Sequence, residues 1–197
     1  MSVRESDYGI HSVFINRWSP RAFTGECIDD QTLFCLFEAA RWAPSSYNSQ
    51  PWRYIYAKND SPQWSDFLVL LSDFNRSWAK NASALIVALS KMVFTPPDAQ
   101  APMQMPSHAF DAGAAWQNLA LQAHLLDWSA HALGGFDKQK TREILCIPQE
   151  FAIEAMIAIG KKTDKSILAE HLQEKEHPSQ RKPISEWISH ATFDFKE

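Results

Sequence analysis

The chain has 197 residues, 45% of them apolar and 21% charged, with a formal net charge of −4; this is the composition of a globular protein with one substantial core, and the length favours one domain over two. Charges of both signs are interspersed, which argues against a nucleic-acid binder, and the longest apolar stretch, residues 84–89, is far too short to span a bilayer. Three cysteines, Cys27, Cys35 and Cys146, are odd in number and form no CxxC pair, so neither a zinc site nor a disulfide framework is expected, and a reducing cytoplasm is the simplest location.

The N-terminal stretch MSVRESDYGIHSVFINRW mixes charges and holds no long apolar run, so no signal peptide is expected. After Asp30, Leu33, Phe34, Phe37 and Ala40 recur at helical spacing, with Asp29 or Asp30 as N-cap; the helix must end near Pro44. Residues 52–57, WRYIYA, are aromatic and β-branched and predict a strand. A helix is predicted over 63–71 and a shorter one after Asn75. Residues 84–89, ALIVAL, have the pattern of a strand buried on both faces. Residues 94–106 contain Pro96, Pro97, Pro102 and Pro106 and are expected to form an irregular lid or connector loop.

Between 111 and 128, Ala115, Trp116, Leu119, Ala123 and Leu126 mark a central, largely buried helix. A short segment around Ala132 leads to Gly134-Gly135, and a further helix is predicted over 138–145. Phe151, Ile153, Ala155, Ile157 and Ile159 then alternate as a strand that Gly160 closes. An amphipathic helix is predicted up to Glu176, with the charged run 170–176 as its exposed face. The tail, 177–197, turns apolar at Ile184, Trp187, Ile188 and Phe193, with little chain left to fold on itself, and is a candidate for wrapping a partner subunit. Helices with few, separated strands make an α+β architecture.

Two constellations carry chemistry. Arg17-Trp18-Ser19-Pro20-Arg21 sets two guanidinium groups and a hydroxyl within five residues, donors that match phosphate oxygens, although a solvated basic turn has the same composition. Residues 39–52, AARWAPSSYNSQPW, are a helix stopped by proline, then a loop dense in hydroxyls and amides, then a second proline before a strand. Such a loop suits hydrogen bonding to a heteroaromatic edge or a ribityl chain. Eight Trp and twelve Phe add either core or flat surfaces for a planar ligand or a second subunit; Trp42 and Trp52 read as core or dimer packing.

The string EAARWAPSSYNSQPWRYI resembles the signature of the nitroreductase family. Four further landmarks follow its order: DAGAAWQNLALQAH (111–124), LGGFD (133–137), IPQEFAIEAMIAIG (147–160) and RKPISEW (181–187), with the RxSxR element at 17–21 ahead of them. The resemblance covers nearly the whole chain. It implies a nitroreductase-like fold, with a central mixed, mainly antiparallel sheet surrounded by helices, in an intertwined homodimer that exchanges C-terminal tails. It implies one FMN per subunit at the interface and NADH or NADPH as electron donor. Carried over by position, Arg17, Trp18 and Ser19 sit at the phosphate end and Arg21 near the flavin N1–O2 edge. Pro44, Ser45, Ser46 and Asn48 come from the other subunit, and Asn75 faces the pyrimidine ring. Leu133, Gly134 and Gly135 pass N5, and Arg181 closes on the phosphate. Trp78 falls near a position where some members carry a flavin-contacting lysine, and residues 124–129 replace a glycine-containing turn.

The chemistry agrees with these placements. A fixed cation at Arg21 would stabilise charge on a reduced flavin, and glycine lets backbone approach a flat ring. No side-chain nucleophile is required, because the cofactor carries the reaction and the protein supplies position and field. The small-molecule acceptor is expected to be a nitroaromatic, a quinone or a similar flat electrophile, reduced by ping-pong hydride transfer. Two alternatives stay open: a specialised flavin-cleaving, dehalogenating or azoline-oxidising enzyme on the same fold, or a flavin-binding redox module without turnover. Of the histidines, His108 reads as a solvated loop residue in preference to one lining the substrate pocket, and His131 as a buried side chain bonded to backbone in preference to one modulating N5.

Overall fold

The computed structural model describes residues 4–195; Met1 to Val3 and the last two residues of the tail, Lys196 and Glu197, lie outside the described residues. A four-stranded sheet forms the middle of the molecule, in the order β1 (Trp52–Lys58), β2 (Ala84–Lys91), β6 (Phe151–Gly160), β5 (Ser129–Leu133), and every pairing in it is antiparallel. Strand β2 is buried along seven of its eight residues because both of its faces carry apolar cores. Leu85, Val87 and Leu89 point into one cluster with Trp78 and Phe67; Ala84, Ile86 and Ala88 point into the other with helices α2 (Asp30–Arg41) and α5 (His108–Leu125).

Strand β6 does not keep one face throughout, as its clean alternation predicts. Ala88 pairs with Ala155 but Leu89 pairs with Ile153, leaving Glu154 as the extra residue of a β-bulge. The bulge reverses the parity of the strand, so Ile153 joins Met156 and Ala158 in one core while Ile157 and Ile159 enter the other.

The main helices form where the periodicity places them. Asp29 caps α2, accepting from the Thr32 N–H at 2.7 Å, and Leu33, Leu36 and Ala40 form its buried stripe, while Phe34 lies half-exposed beside Tyr56. Helix α5 presents Ala112, Ala115, Leu119, Ala120 and Ala123 to the sheet and to α2; these mostly small side chains allow a close approach. It starts at His108, earlier than expected, and ends in a turn where Asp127 takes a φ of +58° in place of a glycine.

Other expectations need correction. A short helix, α1 (Ser12–Asn16), precedes the RxSxR element unforeseen. Helix α3 covers only Trp64–Leu68, and α4 (Asp73–Ala79) begins before Asn75 and contains it, capped by the Ser72 side chain. The proline-rich loop is not wholly irregular: β3 (Val93–Phe94) and β4 (Met103–Gln104) pair as a small ribbon. Helix α6 (Lys138–Ile144) is as expected, but α7 is the single turn Glu170–Gln173, and Glu176 beyond it is buried rather than part of an exposed face.

Candidate functional site

The RxSxR segment leaves α1 in extended conformation and runs beside β5. A cavity of about 310 Å³ opens there, lined by Arg17, Trp18, Ser19, Arg21 and His131 together with Arg4, Lys175, Ser179 and Arg181 from the two ends of the chain. Among the described residues no carboxylate lines it. Arg17 donates to the Ser19 hydroxyl at 3.3 Å, and Arg4 bridges the segment, donating to the Ile15 and Arg17 carbonyls at 2.8 and 2.9 Å and to the Ser179 carbonyl at 2.8 Å. Arg181 donates to the Ser179 carbonyl and hydroxyl, which holds its side chain close to its own backbone.

Burial, with repulsion from Arg4 and Arg181, pushes the Arg17 guanidinium below its ordinary pKa; burial and Arg181 do the same to Arg4. The Arg21 Nε is buried and has no hydrogen-bond partner in the chain. Cations compressed in this way, around a pocket without an acid, fit a multiply charged anion such as a phosphate monoester.

Strand β5 connects this cavity to the glycines. His131 faces the cavity from mid-strand, its Nδ1 bonded at 2.9 Å to the Pro20 carbonyl. A carbonyl only accepts, so Nδ1 carries the proton. Burial, reinforced by Arg21 and Arg17, lowers the pKa of the ring, which is therefore neutral at pH 7. Roughly 10 Å further along, at ~3.3 Å per residue, Gly134 faces open space: a Cβ built there meets nothing within 4 Å. Gly135 is the opposite case. Its carbonyl accepts from the Ser72 N–H and the Asn75 Nδ2, both at 3.0 Å, and a Cβ on it would lie 2.5 Å from that same Nδ2. Asn75 thus bonds to the glycine turn, a contact the sequence did not anticipate, and its amide fixes the course of the backbone there. Leu133 is buried beneath the turn, and Trp78 lies in the core with its ring centroid 4.8 Å from His131 but does not itself line the arginine cavity.

The 44–48 loop is elsewhere: Pro44, Ser45, Ser46 and Asn48 do not line the arginine cavity. Tyr47, Asn48 and Gln50 all adopt left-handed φ values near +50°, a cost that non-glycine residues bear when the surroundings impose it. What imposes it is visible. Asp111, buried in the first turn of α5, accepts from the Ser46 N–H and the Ser107 hydroxyl, each at 3.1 Å, and the Ser45 side chain accepts from the Gln50 N–H. The loop is built to a fixed shape yet leaves Tyr47 75% and neighbouring Trp42 72% exposed, whereas Trp52 is core.

His108 is not a solvated loop residue. It opens α5, and its Nδ1 lies 2.7 Å from the buried Ser90 hydroxyl, which in turn donates to Glu154, the bulged residue of β6. Sequence reasoning also missed Arg4, Asp111, Lys175, Ser179 and Glu176. Each is an ordinary polar residue far in sequence from its partners; only the N-terminal position of Asp111 on a helix gave a local signal. Among the described residues no cluster of three His, Cys, Asp or Glu side chains is placed to hold a metal ion, and no helix is long and apolar enough to cross a membrane.

A family model for the nitroreductase family matches residues 15–161, which include the RxSxR segment, the strained loop, β5 and the glycine turn. The chain belongs to the nitroreductase family. Among solved structures, one described as an oxidoreductase containing FMN is 44% identical and superposes with a TM-score of 0.94, over 98% of this chain and 97% of that one. Protein DrgA of Synechocystis is 29% identical over 155 residues, 66% of this chain and 72% of its own length. An NADH dehydrogenase of Thermus thermophilus is 25% identical over 197 residues, covering 86% and 90%. Family membership accounts for the α+β fold: the antiparallel sheet with helices on both faces is shared with the structure described as an oxidoreductase containing FMN.

Proposed function

We propose that this nitroreductase-family protein is an FMN-dependent oxidoreductase, which takes hydride from NADH or NADPH and passes it to nitroaromatics, quinones or similar flat electrophiles in two alternating half-reactions. In this reading it works in the cytoplasm as a homodimer with one FMN per subunit. The observation that carries it is the acid-free arginine cavity, joined by one strand to a glycine with open space before it. A cationic end and a bare backbone face, set apart along β5, suit a phosphate on a flexible chain ending in a flat ring.

Bound there, FMN would supply hydride chemistry at N5, with negative charge gathering on its N1–O2 edge. Arg17, Ser19 and Arg181 hold the phosphate, with Arg4 as an added partner and Trp18 at the rim. Arg21, next in the segment, offers its unpartnered Nε and remaining donors to the N1–O2 edge, where a fixed cation stabilises developing charge. Gly134 admits the ring, and Asn75 and Ser72 keep the Gly135 carbonyl from turning.

Pro44, Ser45, Ser46 and Asn48 are assigned to the cofactor of the other subunit. Trp42, Tyr47 and Phe110 are more than 70% exposed around this loop, a larger apolar surface than an isolated chain carries without purpose. Trp187, Ile188 and Phe193 are also exposed, which supports the tail as a partner-binding arm. Removing residues 184–197 should weaken the dimer at least tenfold by sedimentation, an order-of-magnitude expectation for losing several buried apolar side chains; a truncated dimer of unaltered stability counts against the arm.

The test of function is direct. The purified protein should take up FMN, bleach with NADH or NADPH, and recover its yellow colour with nitrofurazone or menadione. A chain that takes up no FMN overturns the reading; one that bleaches without recovering is a redox module rather than an oxidoreductase for these acceptors. In Arg21→Ala, reduction by the nicotinamide should slow by on the order of 100-fold, the usual effect of deleting one charge-stabilising donor, and the flavin potential should become more negative. An unchanged reductive half-reaction refutes the role given to Arg21.

A further inference from the structure

Glu176 follows the single turn of α7 and carries one of the few buried charges in the chain, its side chain 3% exposed. Its Oε1 accepts from two consecutive backbone groups, the Arg21 N–H at 2.6 Å and the Ala22 N–H at 2.9 Å, across 155 and 154 residues of sequence. Its Oε2 lies 3.7 Å from the Arg21 Nη1, too far for a hydrogen bond, and is buried with no other partner. The Arg21 Nε is likewise buried and unpartnered. The pair is close in charge but open in hydrogen bonding. A buried carboxylate left in this state is costly unless something requires it, and a merely structural anchor would need only the two bonds to Oε1.

We propose that Glu176 is a positioning residue for Arg21 that acts in two ways. It pins the Arg21–Ala22 backbone step, which fixes where the guanidinium emerges, and its charge behind that guanidinium limits the positive field the cavity presents. The open pairing follows from this: a closed, bidentate salt bridge would take up the donors of Arg21, whereas a carboxylate at 3.7 Å offsets its charge and leaves them free. The same carboxylate acts on the neighbouring His131 ring against the lowering influence of burial, Arg21 and Arg17. The first role stands on geometry alone; the second depends on the reading of Arg21 as facing the FMN N1–O2 edge.

Glu176→Gln separates the two roles, because a carboxamide oxygen can still accept both N–H bonds while the charge is gone. In the FMN-loaded variant, dye equilibration should show the reduced cofactor held about tenfold more tightly relative to the oxidised one than in the parent. For a two-electron couple this is a potential raised by about 30 mV. Amide hydrogen exchange at Arg21 and Ala22 should stay as slow as in the parent in Glu176→Gln and speed up at least tenfold in Glu176→Ala, as expected when a buried charge-assisted bond is lost. A potential that is unchanged or lower in FMN-loaded Glu176→Gln overturns the electrostatic role. Unchanged exchange in Glu176→Ala overturns the anchor. If the parent takes up no FMN, the functional reading fails and takes the electrostatic role with it, while exchange at residues 21 and 22 still decides the anchor.

Discussion

Arg17→Ala is expected to weaken FMN binding by about 10- to 100-fold, the effect of losing a charge-assisted contact worth about 1.5–3 kcal/mol. The same change should leave the cofactor-free chain as stable as before or slightly more so. Arg17 makes one weak side-chain bond, to Ser19 at 3.3 Å, and its guanidinium is otherwise held among like charges, with burial and then Arg4 and Arg181 all disfavouring its protonated form. Truncation relieves that repulsion. Its backbone carbonyl, which anchors Arg4, is untouched by the substitution. The two effects have opposite signs and are read together: in thermal melts the variant should match or exceed the parent without FMN and gain less on adding it, since ligand stabilisation follows the ratio of concentration to dissociation constant. Arg181→Ala should act in the same direction. An affinity unchanged in Arg17→Ala, measured by fluorescence quenching at fixed salt, would remove the phosphate assignment of this cavity.

The segments that were legible in the sequence are those whose information is local. A cap at Asp29 or Asp30, Leu33 and Ala40 on the buried face of α2 and the two-faced strand β2 follow from spacing alone, whereas Leu36 rather than Phe34 or Phe37 completes the buried stripe. The string around residues 44–52 identified a loop, and its composition pointed to polar contacts, but its three left-handed residues and their support by Asp111 depend on a helix over sixty residues away. Strand β6 is the clearest case of a pattern that misleads. The alternation from Phe151 to Ile159 is real, yet a single bulged residue, Glu154, divides it between two cores, and nothing in that strand's own sequence marks the bulge. Short elements fared worst. α1 and α7 are one turn or little more, and elements of that length are stabilised by tertiary contacts rather than by their own periodicity.

The site divides in the same way. Arg17, Ser19 and Arg21 stand together in sequence and stay together in space, with Arg181 joining them from the other end of the chain. Arg4 and Lys175 complete that cationic cavity without any motif to announce them. Asn75 and Gly135, sixty residues apart, meet through a hydrogen bond that family resemblance anticipates only as two separate contacts with a ring. Glu176 was the largest misreading: one buried acid within an otherwise solvated charged run. Charged residues at a segment's end are usually exposed, so the exception becomes visible only when the two backbone N–H groups it accepts from are seen.

Gly160→Ala should lower the stability of the chain by overpacking its core. Gly160 ends β6 opposite Ser129 of β5, and a Cβ there would lie 2.6 Å from Phe23 Cγ, 2.7 Å from Cδ1 and 3.0 Å from Cβ. Neither side can yield easily. Phe23 is 1% exposed, its ring set against Trp78 at 6.2 Å and its backbone bridged to Lys162, while the Thr24 N–H donates to the Lys161 carbonyl. Overpacking of a closed core typically costs about 1–3 kcal/mol, and for a chain of this size each kcal/mol lowers the melting temperature by about 2–4 °C. A fall of roughly 2–12 °C is therefore expected by calorimetry. The effect should also reach the site, because Phe23 follows Arg21 and Ala22 directly: a ring forced aside pulls on the backbone step that Glu176 holds. FMN affinity should then fall although no cofactor contact has been altered. A variant that melts with the parent would show that Phe23 can move into space its neighbours do not leave it, and would break the link drawn between the end of β6 and the arginine cavity.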